Sequence, residues 1–183
     1  MNPTRNSALG RTLRSGPMRL KCLIGLGGAL LALGAAGQLV ADPDWTESEA
    51  GPPPSFNKER LIAIEMPRYL SSRVAIDPAT LSVSTDGVVR YVVVISNASG
   101  SINALHEGIR CATEEVKTYA RYAPSGRWTS IAEPAWQSMT GPLPSKHALA
   151  LARQGLCDGH IVPAGSVPAI VERLTHPYPA QPR

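Results

Sequence analysis

The sequence contains three cysteines, and their chemistry depends on the cellular compartment in which the chain folds. Cys22 lies in a predicted signal peptide, which leaves Cys111 and Cys157 for the folded domain. A catalytic thiol needs a nearby base and structural zinc needs four closely spaced ligands, whereas the histidines of this chain are scattered. Two cysteines without a CxxC motif in an exported domain are typical of one disulfide. We therefore predict a Cys111–Cys157 disulfide, with no metal site and no cofactor.

A second group of residues could bind an anion. The stretch EGIRCATEEVKTYARY, residues 107 to 122, alternates like two β-strands around a short turn. Alternation would bring basic and aromatic side chains of both strands to one face, as a patch suited to a carboxylate or phosphate group. The alternative is the solvated face of an antiparallel sheet. The residues of this predicted patch are His106, Arg110, Lys117, Tyr119 and Arg121.

Motifs of known catalytic machinery are absent from the sequence. It contains no GxSxG, HExxH, P-loop or EF-hand pattern. His106 and Glu107 are adjacent, but neighbours on a strand point to opposite faces, so they are not expected to act as an acid–base dyad. An enzymatic site would have to be assembled from scattered residues such as His106, Glu107 and Arg110.

The first 41 residues are predicted to be a signal peptide. Five basic residues precede an uncharged segment over residues 22–41, which is the pattern of a secretory signal. Met18 is a possible true start, since it leaves a shorter signal with two basic residues before the apolar core. The alternative is an uncleaved inner-membrane anchor, because twenty uncharged residues can just span a bilayer. Cleavage predicts a periplasmic protein, and the anchor predicts a domain facing the periplasm.

The basic charge of the chain belongs to this leader. The whole chain carries 18 basic and 14 acidic residues, a formal charge of +4. Five of the basic residues and none of the acidic ones lie in residues 1–41, which leaves 13 against 14 and a net charge of −1. A basic balance that would favour nucleic acid is therefore missing from the predicted mature chain. We predict no nucleic-acid partner and, after signal cleavage, no integral membrane domain.

The remaining residues predict one domain with extended ends. Residues 42–57 are acidic and proline-rich, and they are predicted to form an N-terminal arm that Trp45 and Phe56 could dock onto the domain; the alternative is a frayed, mobile terminus. Residues 58–176 are predicted to be a single α+β domain, since the length suits one core. Residues 177–183 form a proline-rich tail.

Consecutive β-strands dominate the first part of that domain. The strongest signal is a hairpin, in which the turn pair Asp86-Gly87 separates an alternating run from a β-branched run. Short turns between the strands favour an antiparallel meander of about four to five strands. The predicted strands cover residues 80–85, 88–96, 101–111, 114–122 and 127–131.

Two C-terminal helices are predicted to pack on this meander. Residues 145–155 read as a helix with Ser145 as N-cap, and residues 166–176 read as a second helix with Ser166 as N-cap. The disulfide would then join the sheet to the helical part of the domain.

Three stretches carry a resemblance to a known family. DPDWTESEAGPPPSF, DPATLSVSTDGVVRYVVV and EGIRCATEEVKTYARY resemble the cryptic neisserial protein-like family of exported bacterial proteins, over residues 42–175. The resemblance implies an uncharacterised domain in a Gram-negative cell envelope, and it brings no catalytic or binding residue with it. Together these features predict a non-enzymatic periplasmic module that binds an envelope protein or an anionic small ligand through the sheet face or the arm. The alternative is an envelope hydrolase or transferase.

Overall fold

An antiparallel sheet of eight strands forms the frame of the domain. The computed structural model describes residues 43–68, 70–164 and 167–177. The strands are β1 (Ile62–Ile64), β2 (Arg73–Ile76), β3 (Ser82–Val83), β4 (Val88–Ser96), β5 (Ile102–Arg110), β6 (Glu115–Tyr122), β7 (Trp128–Ser130) and β8 (Gln137–Ser138). Their order is β1-β2-β4-β5-β6-β7, with β3 paired to β4 and β8 paired to β6. The predicted α+β class is confirmed.

The predicted strand number of four to five was too low. The hairpin of β3 and β4 and the strands β5, β6 and β7 lie where the sequence places them. The additional strands are short: β1 has three residues, β2 has four and β8 has two. β1 lies in an apolar run over residues 58–66 whose sequence suits either a strand or a helix. Segments of this length carry too few alternating positions to be recognised, and they form because longer strands beside them offer free backbone groups.

Two helices cover one face of the sheet, which we call the inner face. They are α1 (His147–Leu151), extended by a helical turn over Ala152–Leu156, and α2 (Val167–Thr175). Apolar side chains of both helices pack with those of β4, β5 and β6 in one core. Each buried leucine or isoleucine side chain contributes roughly 1.5–3 kcal/mol. The core includes Val89, Tyr91, Val93, Ile109, Val116, Leu151, Leu156, Ile170 and Leu174.

The start of α1 differs slightly from the prediction. Lys146 occupies the N-cap position, and its side chain makes no capping hydrogen bond. The hydroxyl of Ser145, one residue earlier, accepts a hydrogen bond from the backbone N–H of His147 at 3.4 Å. Ser145 therefore supports the first turn from the position before the N-cap. Ser166, the predicted N-cap of the second helix, lies outside the described residues.

The predicted disulfide is present between Cys111, directly after β5, and Cys157, directly after the turn that extends α1. The two Cα atoms are 5.7 Å apart. The bond links residues 46 positions apart, and it joins the sheet to the helical part as predicted. Cys111 is buried in the core.

The predicted signal peptide (residues 1–41) and the possible start at Met18 lie outside the described residues. Within the described ranges, no helix is long and apolar enough to cross a membrane.

Candidate functional site

The N-terminal arm lies on the outer face of the sheet, opposite the helices. The indole Nε1 of Trp45 donates to the backbone oxygen of Asp86 at 2.8 Å. The backbone N–H of Ser48 donates to the Asp86 carboxylate at 2.9 Å, and Arg90 donates to the Ser48 carbonyl at 2.8 Å. The arm is thus held by backbone and side-chain hydrogen bonds at the β3–β4 hairpin.

A carboxylate from this arm occupies the predicted patch. Glu47 accepts hydrogen bonds from Lys117 Nζ at 2.6 Å and from the Tyr119 hydroxyl at 2.8 Å. It also accepts one from Trp136 Nε1 at 3.1 Å. Burial raises the pKa of Glu47, but these hydrogen bonds and the charge of Lys117 outweigh it and hold that pKa below its usual value. The patch does hold a carboxylate, and that carboxylate belongs to the same chain.

The arm covers further residues of the patch. The Arg110 guanidinium lies 3.8 Å from the ring centroid of Trp45, as a cation–π contact. Trp45 in turn meets Trp136 edge to face at 5.9 Å. His106 is 3 % exposed and lies 5.3 Å from the Tyr119 ring, centroid to centroid. Four of the five predicted residues therefore share one face, but the arm closes that face to other ligands.

Phe56 fixes the other end of the arm. Its ring packs edge to face on Tyr122 at 5.2 Å and on Trp128 at 6.1 Å. Leu61 and Ile102 pack in the same cluster. Both aromatic residues considered for docking the arm, Trp45 and Phe56, therefore contact the domain.

Arg121 does not belong to this face. The pairing of β5 and β6 is irregular between His106 and Glu107, where Ala120 pairs with His106 and Thr118 pairs with Glu107. Tyr119 is the extra residue of a β-bulge, and a bulge shifts the alternation of the following residues by one. Arg121 pairs with Leu105 and lies on the inner side. The expectation that Arg121 shares the face of Lys117 and Tyr119 was wrong for this reason.

Burial leaves His106 in an unfavourable position for protonation. Among the described residues its Nδ1 atom has no hydrogen-bond partner. Burial and the nearby Arg90 guanidinium lower the pKa of His106, and the Glu107 charge offsets this only in part. The folded state therefore favours the neutral imidazole.

We expect stability to fall as the pH decreases through the ordinary pKa of histidine, 6.5. Below that value the unfolded chain binds a proton that folded His106 resists, so the free energy of unfolding drops by up to about 1.4 kcal/mol per pH unit. The variant His106→Phe keeps a flat ring beside Tyr119 and should lose this component between pH 7 and pH 5.5. Urea unfolding at several pH values measures it.

A matched control is His160→Gln, which removes an exposed histidine. Its pH dependence should follow that of the unsubstituted protein. Equal slopes in His106→Phe and the unsubstituted protein would contradict the assignment to His106.

The inner side of the sheet holds an open cleft of about 470 Å³ between β5, β6 and the segment that leads into α1. At its base lies Glu107, which is 2 % exposed. The Glu107 carboxylate accepts hydrogen bonds from the Tyr91 hydroxyl at 3.1 Å and from the Thr118 hydroxyl at 3.0 Å. A buried carboxylate needs several donors, and these two supply part of the set.

The third partner of this carboxylate is a histidine. His147 Nε2 lies 2.7 Å from Glu107 Oε2, and His147 Nδ1 lies 2.9 Å from the Ser145 hydroxyl oxygen. An ionised Glu107 can only accept, so Nε2 donates to it, and in the neutral ring Nδ1 then accepts from Ser145. Serine, imidazole and carboxylate are thus joined in one chain of hydrogen bonds at the cleft.

The sequence indicated only part of this arrangement. Glu107 was among the residues considered for an enzymatic site, but His106 and Arg110 lie on the opposite face of the sheet, under the arm. Ser145 and His147 stand in no recognised motif, and His147 lies 40 residues from Glu107 in the chain. A hydrophobic pattern that assigns residues 145–155 to a helix does not show which strand residue that helix meets.

Metal binding has no visible basis in the part of the chain that the structure describes, where no group of three or more His, Cys, Asp or Glu side chains could hold an ion.

Fold and site together define an α+β domain with a self-covered outer sheet face and an open polar cleft on the helical side. The chain belongs to the CNP1-like family, whose model matches residues 40–175. The predicted family resemblance is confirmed. The chain matches no curated protein and no solved structure.

Proposed function

We propose that this protein is an exported, periplasmic binding module whose ligand is a small amphipathic anion. The observation that carries the proposal is the cleft of about 470 Å³, which combines apolar walls with one cationic side chain. Small-molecule sites are typically concave and apolar, with a few polar groups that orient the ligand. The predicted signal peptide and the disulfide support the periplasmic location.

The walls of the cleft suit an apolar ligand body. Ile95, Leu105 and Leu143 line it and are partly buried at the edge of the core. An aliphatic chain placed against them would remove apolar surface from water, at roughly 25 cal/mol for each Å². Asn103 and Gln137 also line the cleft and provide hydrogen-bonding groups.

Arg121 selects the charge of the ligand. It lines the cleft, is exposed, and forms no ion pair with any of the described residues. Glu107, the only carboxylate among the described residues that line the cleft, is already bound by Tyr91, Thr118 and His147. A guanidinium with open donors is suited to a carboxylate or phosphate group.

The outer face supports this choice by exclusion. Lys117, Tyr119 and Trp136 already bind Glu47, and an external anion would have to displace the arm. We therefore place the proposed ligand in the cleft rather than on the outer face of the sheet.

Octanoate and its neutral analogue octanamide test the proposal by isothermal titration calorimetry. We expect octanoate to bind more tightly than octanamide, and Arg121→Gln to reduce this preference by roughly fivefold, because an exposed charge pair contributes about 1 kcal/mol. The matched control Arg127→Gln removes an exposed arginine outside the cleft. Equal binding of both compounds to the unsubstituted protein would reject an anionic ligand, and no binding of either would reject the cleft as a site for amphipathic anions.

A further inference from the structure

We propose that the cleft also hydrolyses carboxylic esters, with Ser145 as nucleophile, His147 as general base and Glu107 as the group that orients the imidazole. This inference rests on the proposed function, since it places the ligand in the same cleft. Nucleophile, base and orienting carboxylate within hydrogen-bond distance are the recognisable geometry of nucleophilic catalysis, whatever their order in the sequence.

The two hydrogen bonds define which atom of the imidazole faces each partner. The distance from Ser145 Oγ to His147 Nδ1 is 2.9 Å, and the distance from His147 Nε2 to Glu107 Oε2 is 2.7 Å. The imidazole thus faces serine with one nitrogen and the carboxylate with the other. The nitrogen facing the nucleophile is Nδ1 here, and either ring nitrogen can accept a proton while the other donates.

Burial holds this chain of groups in place. Glu107 is 2 % and His147 is 7 % exposed, whereas Ser145 is only half-buried at the cleft. Tyr91 and Thr118 restrain the carboxylate with their hydroxyls, and the backbone N–H of His147 restrains the serine hydroxyl at 3.4 Å. The nucleophile is therefore the accessible member, and the base and the carboxylate are sheltered from water.

The first half of the reaction forms an acyl-enzyme. Ser145 Oγ bonds to the ester carbonyl carbon while its proton passes to His147 Nδ1, and Glu107 stabilises the resulting imidazolium through Nε2–H. The carbon–oxygen bond to the leaving group then breaks, and the leaving alkoxide takes the proton from Nδ1. Arg121, Gln137 and Asn103 are donors in the lining that could stabilise the developing oxyanion.

The second half repeats these steps with water. Water adds to the acyl carbon and gives a proton to His147 Nδ1, and the Ser145 oxygen recovers that proton as it leaves. The balance is one ester and one water converted to one carboxylic acid and one alcohol. The acid product has the apolar body and the anionic group that the walls and Arg121 suit, so the substrate class is an ester of a short aliphatic acid.

Covalent trapping with a fluorophosphonate probe, followed by peptide mapping, tests the nucleophile directly. We expect one phosphonylated residue, Ser145. Labelling should be at least about 100-fold slower in His147→Gln, because serine is a weak nucleophile without a base that accepts its proton. Ser130→Ala, an exposed serine on β7, is the matched control and should be labelled at Ser145 like the unsubstituted protein. Absence of label at Ser145, or equal labelling in His147→Gln, would overturn the proposal.

Hydrolysis of p-nitrophenyl butyrate separates catalysis from folding. Ser145→Ala should lower kcat/KM at least about 100-fold, and Glu107→Gln should lower kcat with little change in KM, as expected of a positioning residue. Octanoate binding to both variants shows whether the cleft is intact. If the unsubstituted protein binds octanoate but is not labelled at Ser145, the esterase proposal alone is refuted. If it neither binds octanoate nor is labelled, the esterase and the binding function are refuted together.

Discussion

Replacing Cys111 and Cys157 together by alanine is expected to lower the free energy of unfolding by about 4 kcal/mol. The disulfide closes a loop of 46 residues, and the cross-link restricts the unfolded chain far more than the folded one. Single domains have a net stability of about 5–15 kcal/mol, so the loss is a large part of the total. Urea unfolding of the oxidised protein and of the double variant measures it.

A reducing agent provides the control for this prediction. It should destabilise the unsubstituted protein by a similar amount and leave the double variant unchanged. Intact-mass analysis of protein recovered from cells extends the test, because a mass corresponding to residues 42–183, with two alkylated thiols only after reduction, is expected of an exported chain. Free thiols in the recovered protein, or a double variant with the same unfolding midpoint as the oxidised unsubstituted protein, would contradict a stabilising disulfide.

Arg90→Met is expected to have an effect of similar size, a loss of about 3–5 kcal/mol. The Arg90 side chain is 3 % exposed and pairs with Asp86, whose side chain is fully buried, at 2.9 Å. It also donates to Ser84 Oγ at 2.7 Å and to the Ser48 carbonyl of the arm. Methionine fills a similar volume but leaves the buried Asp86 charge without its cation. Urea unfolding should show the loss, and limited proteolysis should cleave the arm faster.

The matched control is Arg60→Met, which removes the arginine of another Arg–Asp pair at the end of the arm. Arg60 Nε donates to Asp77 at 3.0 Å. The Asp77 side chain is buried like that of Asp86, but Arg60 is 55 % exposed, so water can replace its hydrogen bond and the loss should be at most about 1 kcal/mol. Adding Asp86→Asn to Arg90→Met should restore part of the stability, since it removes the unpaired charge. An Arg90→Met protein as stable as Arg60→Met would show that the buried pair does not hold the arm.

Local pattern explains why much of the fold could be predicted. Asp86 and Gly87 identified the hairpin because a two-residue turn requires residues that tolerate positive φ, and Gly87 has φ of 76°. The β-branched run after it forms β4, in which residues 88–94 are all buried, with side chains covered on both faces of the sheet. The same pattern did not reveal that Asp86 also binds the arm, because its partner Trp45 is 41 residues away.

The predicted patch shows which features a local sequence pattern does not predict. Alternation correctly brought Lys117 and Tyr119 to one face, since each contacts the same Glu47 carboxylate. Nothing in the alternation indicates that an acidic residue 70 positions earlier would occupy the space between them. A single extra residue at Tyr119 reversed the side of Arg121, and a bulge leaves no signature in hydrophobic periodicity.

The sequence alone determined the α+β class, the principal strands, the two helices, the disulfide pair and the family, because each depends on residue type, spacing or count within short segments. The tertiary structure alone decided which surface is open. Burial of the arm closed the outer face, and packing of α1 against β5 brought His147 to Glu107. Such contacts join distant segments, and their free energy depends on the three-dimensional packing of whole faces rather than on neighbours in the chain.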